Sequence, residues 1–118
     1  QESKRLPFAA AEPGIAGLQT LLPLSLELVH RGHLSLIDML AKLTHNPAQL
    51  LGLPSGALEV GRKADLVLFD PNIPWQLSES DLVSKSKNTP FDGRPVQGRV
   101  LRTVVAGDTV FELAAEPA

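Results

Sequence analysis

Three histidines, His30, His33 and His45, are the side chains in this sequence best suited to metal or acid–base chemistry. A metal site on a helix takes histidines at i and i+4, or a histidine with carboxylates on the same face. His30 and His33 are three apart, and Gly32 between them is a helix stop. Their expected place is the surface near a helix end, where a partly cationic ring suits the local dipole. His45 stands just before Asn46 and reads as a polar group at a helix junction. Two carboxylates, Asp65 and Asp70, flank the run LVLF at 66–69. Their spacing puts them on opposite faces of an ideal strand, so they do not form an acid–base pair, and turns at the strand ends are their expected role. The cations of GRKAD, at 61–65, read as a solvated turn. The sequence shows no Ser-His-Asp order, phosphate loop or basic–aromatic patch, and GIAG at 14–17 does not match a dinucleotide fingerprint.

The remaining candidate is a stretch of backbone. PFAAAEPGIAGLQTLLPL, at 7–24, is rich in Pro, Gly and Ala and runs into a leucine-rich helical pattern. Gly14 and Gly17 permit positive φ and close approach of the main chain, and amides leading into a helix N-terminus suit an anionic ligand. Glu12 borders the turn and stands either near a ligand or in solvent. The same residues suit an ordinary connection punctuated by Gly and Pro equally well.

Bulk properties narrow the class. The chain has 118 residues, about one domain, with 43% apolar residues and a net charge of −2. No like-charged run marks a nucleic-acid surface, and no apolar run is long enough for a membrane helix. Without cysteine, neither a disulfide framework nor a thiolate metal site is possible. QESKRLPF lacks the apolar region of a signal peptide. The missing initial Met reads as a processed, tagged and cut, or fragmentary chain.

Three helices are expected in the first half. The first carries Leu18, Leu21, Leu22, Leu28 and Val29 at helical spacing; Thr20 as cap places Pro23 in the first turn, and Gly32 stops it. The second begins at Ser35, with Asp38 spaced as in a capping box. The third takes Asn46 as cap and Pro47 as its first residue, and ends at Gly52. From residue 54 the pattern is turn, short strand, turn and a strand LVLF covered on both faces, ended by Asp70 and Pro71. Loop follows to residue 98, with Trp75 and Leu77 as anchors. A hairpin closes the chain: Val100 to Val105, a turn at 106–108, then Thr109 to Leu113. These helices and strands are incomplete layers, since a hairpin needs further strands or a helix face for stability.

Three stretches carry a resemblance. PFAAAEPGIAGLQTLLPL is similar to a P-F-x-x-A-x-x-G-x-x-G-x-E-T substrate loop and its following helix. LTHNPAQLLGLPSGALEVGRKADLVLFDP is similar to an N-P-A helix followed by a G-x-x-A-D-L-V strand. SKSKNTPFDGRPVQGRVLRTVVAGDTVF is similar to an S-K-x-x-N-T-P-F-x-G segment and terminal hairpin. Together they resemble the dihydroorotase branch of the amidohydrolase superfamily, with hydantoinases and allantoinases as sister branches.

The resemblance implies an α/β fold: closing helices of a distorted (β/α)8 barrel plus the C-terminal part of a small β-sandwich, incomplete without an upstream segment. Residues 1–53 would be the active-site loop and last barrel helices, and residues 54–118 the sandwich strands. It implies zinc, with one or two ions bound by His, Asp and a carboxylated Lys. It also implies cyclisation of N-carbamoyl-L-aspartate to dihydroorotate in the cytoplasm. The metal ligands and the catalytic Asp of a D-H-A-P-H motif would precede Gln1, leaving no catalytic or metal residue in this segment and the segment alone inactive. Only Pro13 and Gly14 map onto the family's substrate contacts, through their backbone. Gln19 stands where Glu is common. Expected partners are a small-molecule substrate, the missing N-terminal portion, and a second copy or aspartate transcarbamoylase, with no nucleic acid or membrane. The alternatives are a non-catalytic scaffold subunit, or a hydantoinase- or allantoinase-type cyclic amidohydrolase.

Overall fold

The computed structural model describes residues 16–114. Helix α1 spans Leu21–His30, with Thr20 as its cap residue. The Thr20 hydroxyl does not cap. It donates instead to the Gly17 carbonyl at 3.2 Å, closing the turn that enters the helix. Pro23 stands third in α1, where an amide would have no helical partner, so it is accommodated and buried. At the other end Gly32 takes φ 78°, and the amides of Gly32 and His33 return to the carbonyls of Val29 and Leu28. That pairing is the glycine-terminated stop expected there.

Helix α2 spans Leu36–Leu43, and the Ser35 hydroxyl accepts from the Asp38 amide at 3.1 Å, the first half of the capping box. Helix α3 spans His45–Leu51 and corrects the expected start: Thr44, not Asn46, is the cap residue, and Pro47 is third rather than first. The Thr44 hydroxyl turns back to the Leu40 carbonyl at 2.7 Å, which lets α3 begin directly where α2 ends. A proline is tolerated at that third position for the reason that applies in α1. Gly52, at φ 67°, ends α3 as expected.

No strand forms between residues 54 and 65, contrary to expectation. Gly56 and Gly61 both take positive φ, which interrupts extended backbone on either side of the short apolar run. Strand β1 covers Leu66–Gln76, β2 covers Pro95–Val105 and β3 covers Asp108–Glu112; they form one antiparallel sheet in that order. β1 does not end at Asp70 and Pro71. Asp70 pairs with Arg99 and Pro74 with Gln97, so three residues of β1 bulge opposite the single Gly98. Pro71 has no amide to leave unpaired, and a bulge accepts it. The Asp70 carboxylate accepts from the Asn72 amide at 2.9 Å inside this bulge. β2 likewise starts earlier than the expected loop allowed. The terminal hairpin turns on Ala106 and Gly107, at φ 51° and 85°, and Asp108 belongs to β3 rather than to the turn.

The core is small. Leu26 of α1 is fully buried and packs on Gly98 of β2; Met39, Ala48, Leu77, Leu82 and Val96 complete it. The LVLF run is not covered on both faces by the described residues. Leu66, Val67 and Leu68 remain 38%, 50% and 55% exposed, because α1 packs only on the end of the sheet around Val96 and Gly98. Leu66 and Val67 border an open groove of about 530 Å³ between the sheet, α2 and the 56–58 turn, lined also by Leu40, Leu58 and Val105.

Candidate functional site

The opening loop meets the rest of the chain where α1 begins. Pro13, Gly14 and Glu12, the residues expected nearest a ligand, lie outside the described residues. Their C-terminal neighbours do not. The Ala16 amide donates to the Asn88 carbonyl at 2.6 Å. Three residues on, the Gln19 side chain reaches the backbone of residues 81–83: its Nε2 donates to the Asp81 carbonyl at 3.3 Å, and its Oε1 accepts from the Val83 amide at 2.6 Å. Thr20 is buried behind it, at 2% exposure. A cleft of about 230 Å³ opens between these segments, lined by Ala16 to Gln19, Leu82, Ser84 and Ser86.

The partner segment is itself built by local bonds. A 3-10 turn at Glu79–Asp81 follows β1, and the Glu79 amide donates to Asp92 Oδ1 at 2.9 Å. Leu82 then takes an extended conformation and buries its side chain. Its carbonyl points away from Gln19 and accepts from Lys87 Nζ. Thr89 is buried, and its hydroxyl accepts from the Phe91 amide at 3.2 Å. The chain regains β2 through the Leu77 amide to the Arg94 carbonyl and the Gly93 amide to the Leu77 carbonyl.

A second tie holds the far end of α1. Arg94 forms a forked pair with Glu27: Nη2 to Oε2 at 2.7 Å and to Oε1 at 2.9 Å, and Nε to Oε1 at 3.1 Å. Hydrogen bonding to Glu27, and next its charge, raise the Arg94 guanidinium further above its already high range. Arg94 therefore stays cationic at every pH the protein meets.

The other sequence candidates fall elsewhere. His30, His33 and His45 are all exposed, and His45 is the first residue of α3 rather than a residue before its cap. Among the described residues no group of three or more His, Asp or Glu converges to hold a metal ion. Asp65 stands at a strand end, as expected: its Oδ1 accepts from the Ala106 amide at 2.7 Å, tying the hairpin turn to the start of β1, whereas Asp70 lies within β1 at its bulge instead of ending the strand. Arg62 pairs with Glu59 at 3.1 Å within an exposed turn. The residue that sequence reasoning passed over is Gln19. Its one signal was an amide-bearing side chain inside an otherwise apolar entry to a helix.

The first and third of the resembling stretches thus lie against each other in space, joined at Ala16–Asn88, with Gln19–Val83 made one residue before the third begins. Residues 11–110 match the family model described as the amidohydrolase family. The chain is 50% identical, over 111 residues and 94% of its length, to a protein of Wolbachia sp. subsp. Drosophila simulans named dihydroorotase, 25% of which it covers. It is also 50% identical over 111 residues to a Pseudomonas aeruginosa protein named dihydroorotase-like, covering 94% of this chain and 26% of that protein. Among solved structures, the L-hydantoinase of Arthrobacter aurescens superposes with a TM-score of 0.82 at 39% identity, over 88% of this chain and 24% of that one. The chain spans about a quarter of the length of each of these proteins.

Proposed function

The chain belongs to the amidohydrolase family, and we propose that it is the C-terminal quarter of a zinc-dependent dihydroorotase. The observation that carries this reading is the 50% identity to the Wolbachia dihydroorotase across 94% of the chain. The reaction is the reversible closure of N-carbamoyl-L-aspartate to the dihydroorotate ring, in the cytoplasm and in pyrimidine synthesis. Residues 1–53 carry the active-site loop and the last helices of a barrel, and residues 54–118 the C-terminal strands of a β-sandwich. The uncovered LVLF run supports this division, since its apolar side chains are then covered by strands from the rest of the protein. The homodimer and a complex with aspartate transcarbamoylase are the assemblies this reading carries.

The described residues do not fit a zinc site, having no convergent ligand set. In this reading the ligands would come from the rest of the protein, and a bound zinc would supply Lewis-acid chemistry at the amide carbonyl and at water. This chain binds and orients. The carbonyl of Pro13 and the backbone of Gly14 contact the ring; Pro13 keeps an acceptor there but has no amide to donate. The Ala16–Asn88 and Gln19–Val83 bonds fix where that loop leaves α1.

A second reading, a hydantoinase-type enzyme, rests on the close superposition with the L-hydantoinase. A third, a non-catalytic scaffold subunit, keeps the fold without the ligands. Assaying the full-length protein on dihydroorotate, carbamoyl-aspartate and hydantoin separates all three. The proposal expects interconversion of the first two, loss of activity on chelation and recovery with zinc. Preference for hydantoin names the sister branch, and no turnover of any of them names the scaffold.

A further inference from the structure

We infer that Gln19 is a positioning residue: its side-chain amide bridges the Asp81 carbonyl and the Val83 amide and so sets the register in which the entry to α1, at Ala16, meets Asn88, on which substrate binding depends. The argument begins with strand geometry. In extended backbone the carbonyl of one residue and the N–H of the residue two further on point to the same side, and the groups between point to the other. Leu82 is extended, at φ −70° and ψ 128°. Asp81 C=O and Val83 N–H therefore face α1 together, spaced as a neighbouring strand would meet them. A primary amide carries both a donor and an acceptor, and Gln19 uses one on each. The Leu82 carbonyl on the opposite side is taken by Lys87 Nζ. Side chains thus hold the Asp81 and Leu82 carbonyls and the Val83 amide of a segment that has no strand partner among the described residues.

The direction of control follows from the chain. Gln19 is the residue before the α1 cap, and Ala16, bonded to Asn88, is the first described residue on the loop side. Fixing 19 to 81–83 fixes the register in which 16 meets 88. A glutamate at 19 would accept from Val83 but, ionised, offers no hydrogen to Asp81. The bond to Asp81 can therefore be removed while the bond to Val83 is kept. The effect on substrate rests on the dihydroorotase reading; the clamp itself does not.

The experiment uses the full-length protein with Gln19→Met, which keeps length and loses both bonds, and Gln19→Glu, which loses the donor. Hydrogen exchange is read at Val83 and Ala16, together with kcat and KM. In Gln19→Met, Val83 exchange is expected to rise about tenfold, the worth of one such bond, and Ala16 exchange to rise with it. KM is expected to rise by about the same factor with kcat within about twofold, the pattern of a contact made equally in ground and transition states. Gln19→Glu is expected to keep Val83 protected and to show a smaller rise in KM. Ser35→Ala, a cap on an exposed helix start, controls for loss of stability and should leave KM unmoved. Unchanged Val83 exchange in Gln19→Met overturns the clamp. Faster Val83 exchange with Ala16 and KM unchanged overturns the positioning role. Wild-type protein inactive on every cyclic amide overturns the functional reading instead, and exchange at Val83 and Ala16 still decides the clamp.

Discussion

Replacing Gly98 by alanine tests how α1 is seated on the sheet. A Cβ at Gly98 would lie 2.3 Å from Leu26 Cδ1 and 3.4 Å from the Pro71 carbonyl oxygen. Carbon atoms in contact stand about 3.5–4.0 Å apart, so Leu26 must retreat by about 1.2 Å or more. Leu26 is fully buried and has no room to swing into solvent. Overpacking of this kind costs about 1–3 kcal/mol. Gly98 also holds φ 113°, a region that adds about 1–2 kcal/mol for a residue with a Cβ. The expected loss is therefore about 2–5 kcal/mol. Leu26→Ala alone should cost about 3–5 kcal/mol through the cavity it leaves. In the double variant the colliding methyl is gone and the new Cβ fills part of that cavity. Only the backbone cost of the alanine persists, so the two losses should fall short of additivity by about 1–3 kcal/mol. Urea unfolding followed by Trp75 fluorescence is the assay, because Trp75 Nε1 donates to the Gly98 carbonyl at 2.7 Å and the Arg99 guanidinium stacks over its ring at 4.8 Å. Additivity within about 0.5 kcal/mol would refute the collision as the cause.

Two turn positions give sharper, smaller tests. Ala106 is the one described residue other than glycine at positive φ, and it leads a two-residue hairpin turn with Gly107. Ala106→Asn should raise stability by about 0.5–1 kcal/mol, since asparagine tolerates that conformation; a lowered urea midpoint would contradict it. Gly56 and Gly61 both hold positive φ, but only at Gly56 would a Cβ meet backbone, 2.8 Å from the Thr44 carbonyl oxygen. Gly61→Ala should cost about 1–2 kcal/mol from conformation alone. Gly56→Ala should cost about 1–3 kcal/mol more through the collision, and equal losses at the two positions would sink the packing argument.

The elements legible in the sequence were those specified by local chemistry. Ser35 with Asp38, Gly32 and Gly52 mark helix ends by capping and positive φ, and the structure places them so. The apolar hairpin arms were equally readable. What escaped was decided by partners distant in sequence. The passage of β1 through Asp70 and Pro71 depends on Gly98, which lets three residues bulge opposite one. The start of α3 at His45 depends on the Thr44 hydroxyl choosing the Leu40 carbonyl over capping. Gln19 was invisible as a bridging residue because nothing in its neighbourhood announces that residues 81–83 will be extended and facing it.

The contacts also bear on how a helix entry is held when its own residues, 16–20, carry no charge. α1 is gripped at both ends by one stretch of chain. Its entry is tied at Gln19 to 81–83 and its last turns at Glu27 to Arg94, while Leu26 between them presses on Gly98. Residues 77–98 therefore act as a frame against which the helix is measured. The proposed boundary between residues 53 and 54 separates sequence, not mechanics, because the helix before it and the strands after it share one core. Apolar burial is non-directional and would allow α1 to slide along β2. The forked guanidinium pair and the amide bridge are directional, and they act on opposite ends of the same short helix. Two directional ties on a rigid rod fix both its position and its rotation, and with them the place where Ala16 meets Asn88.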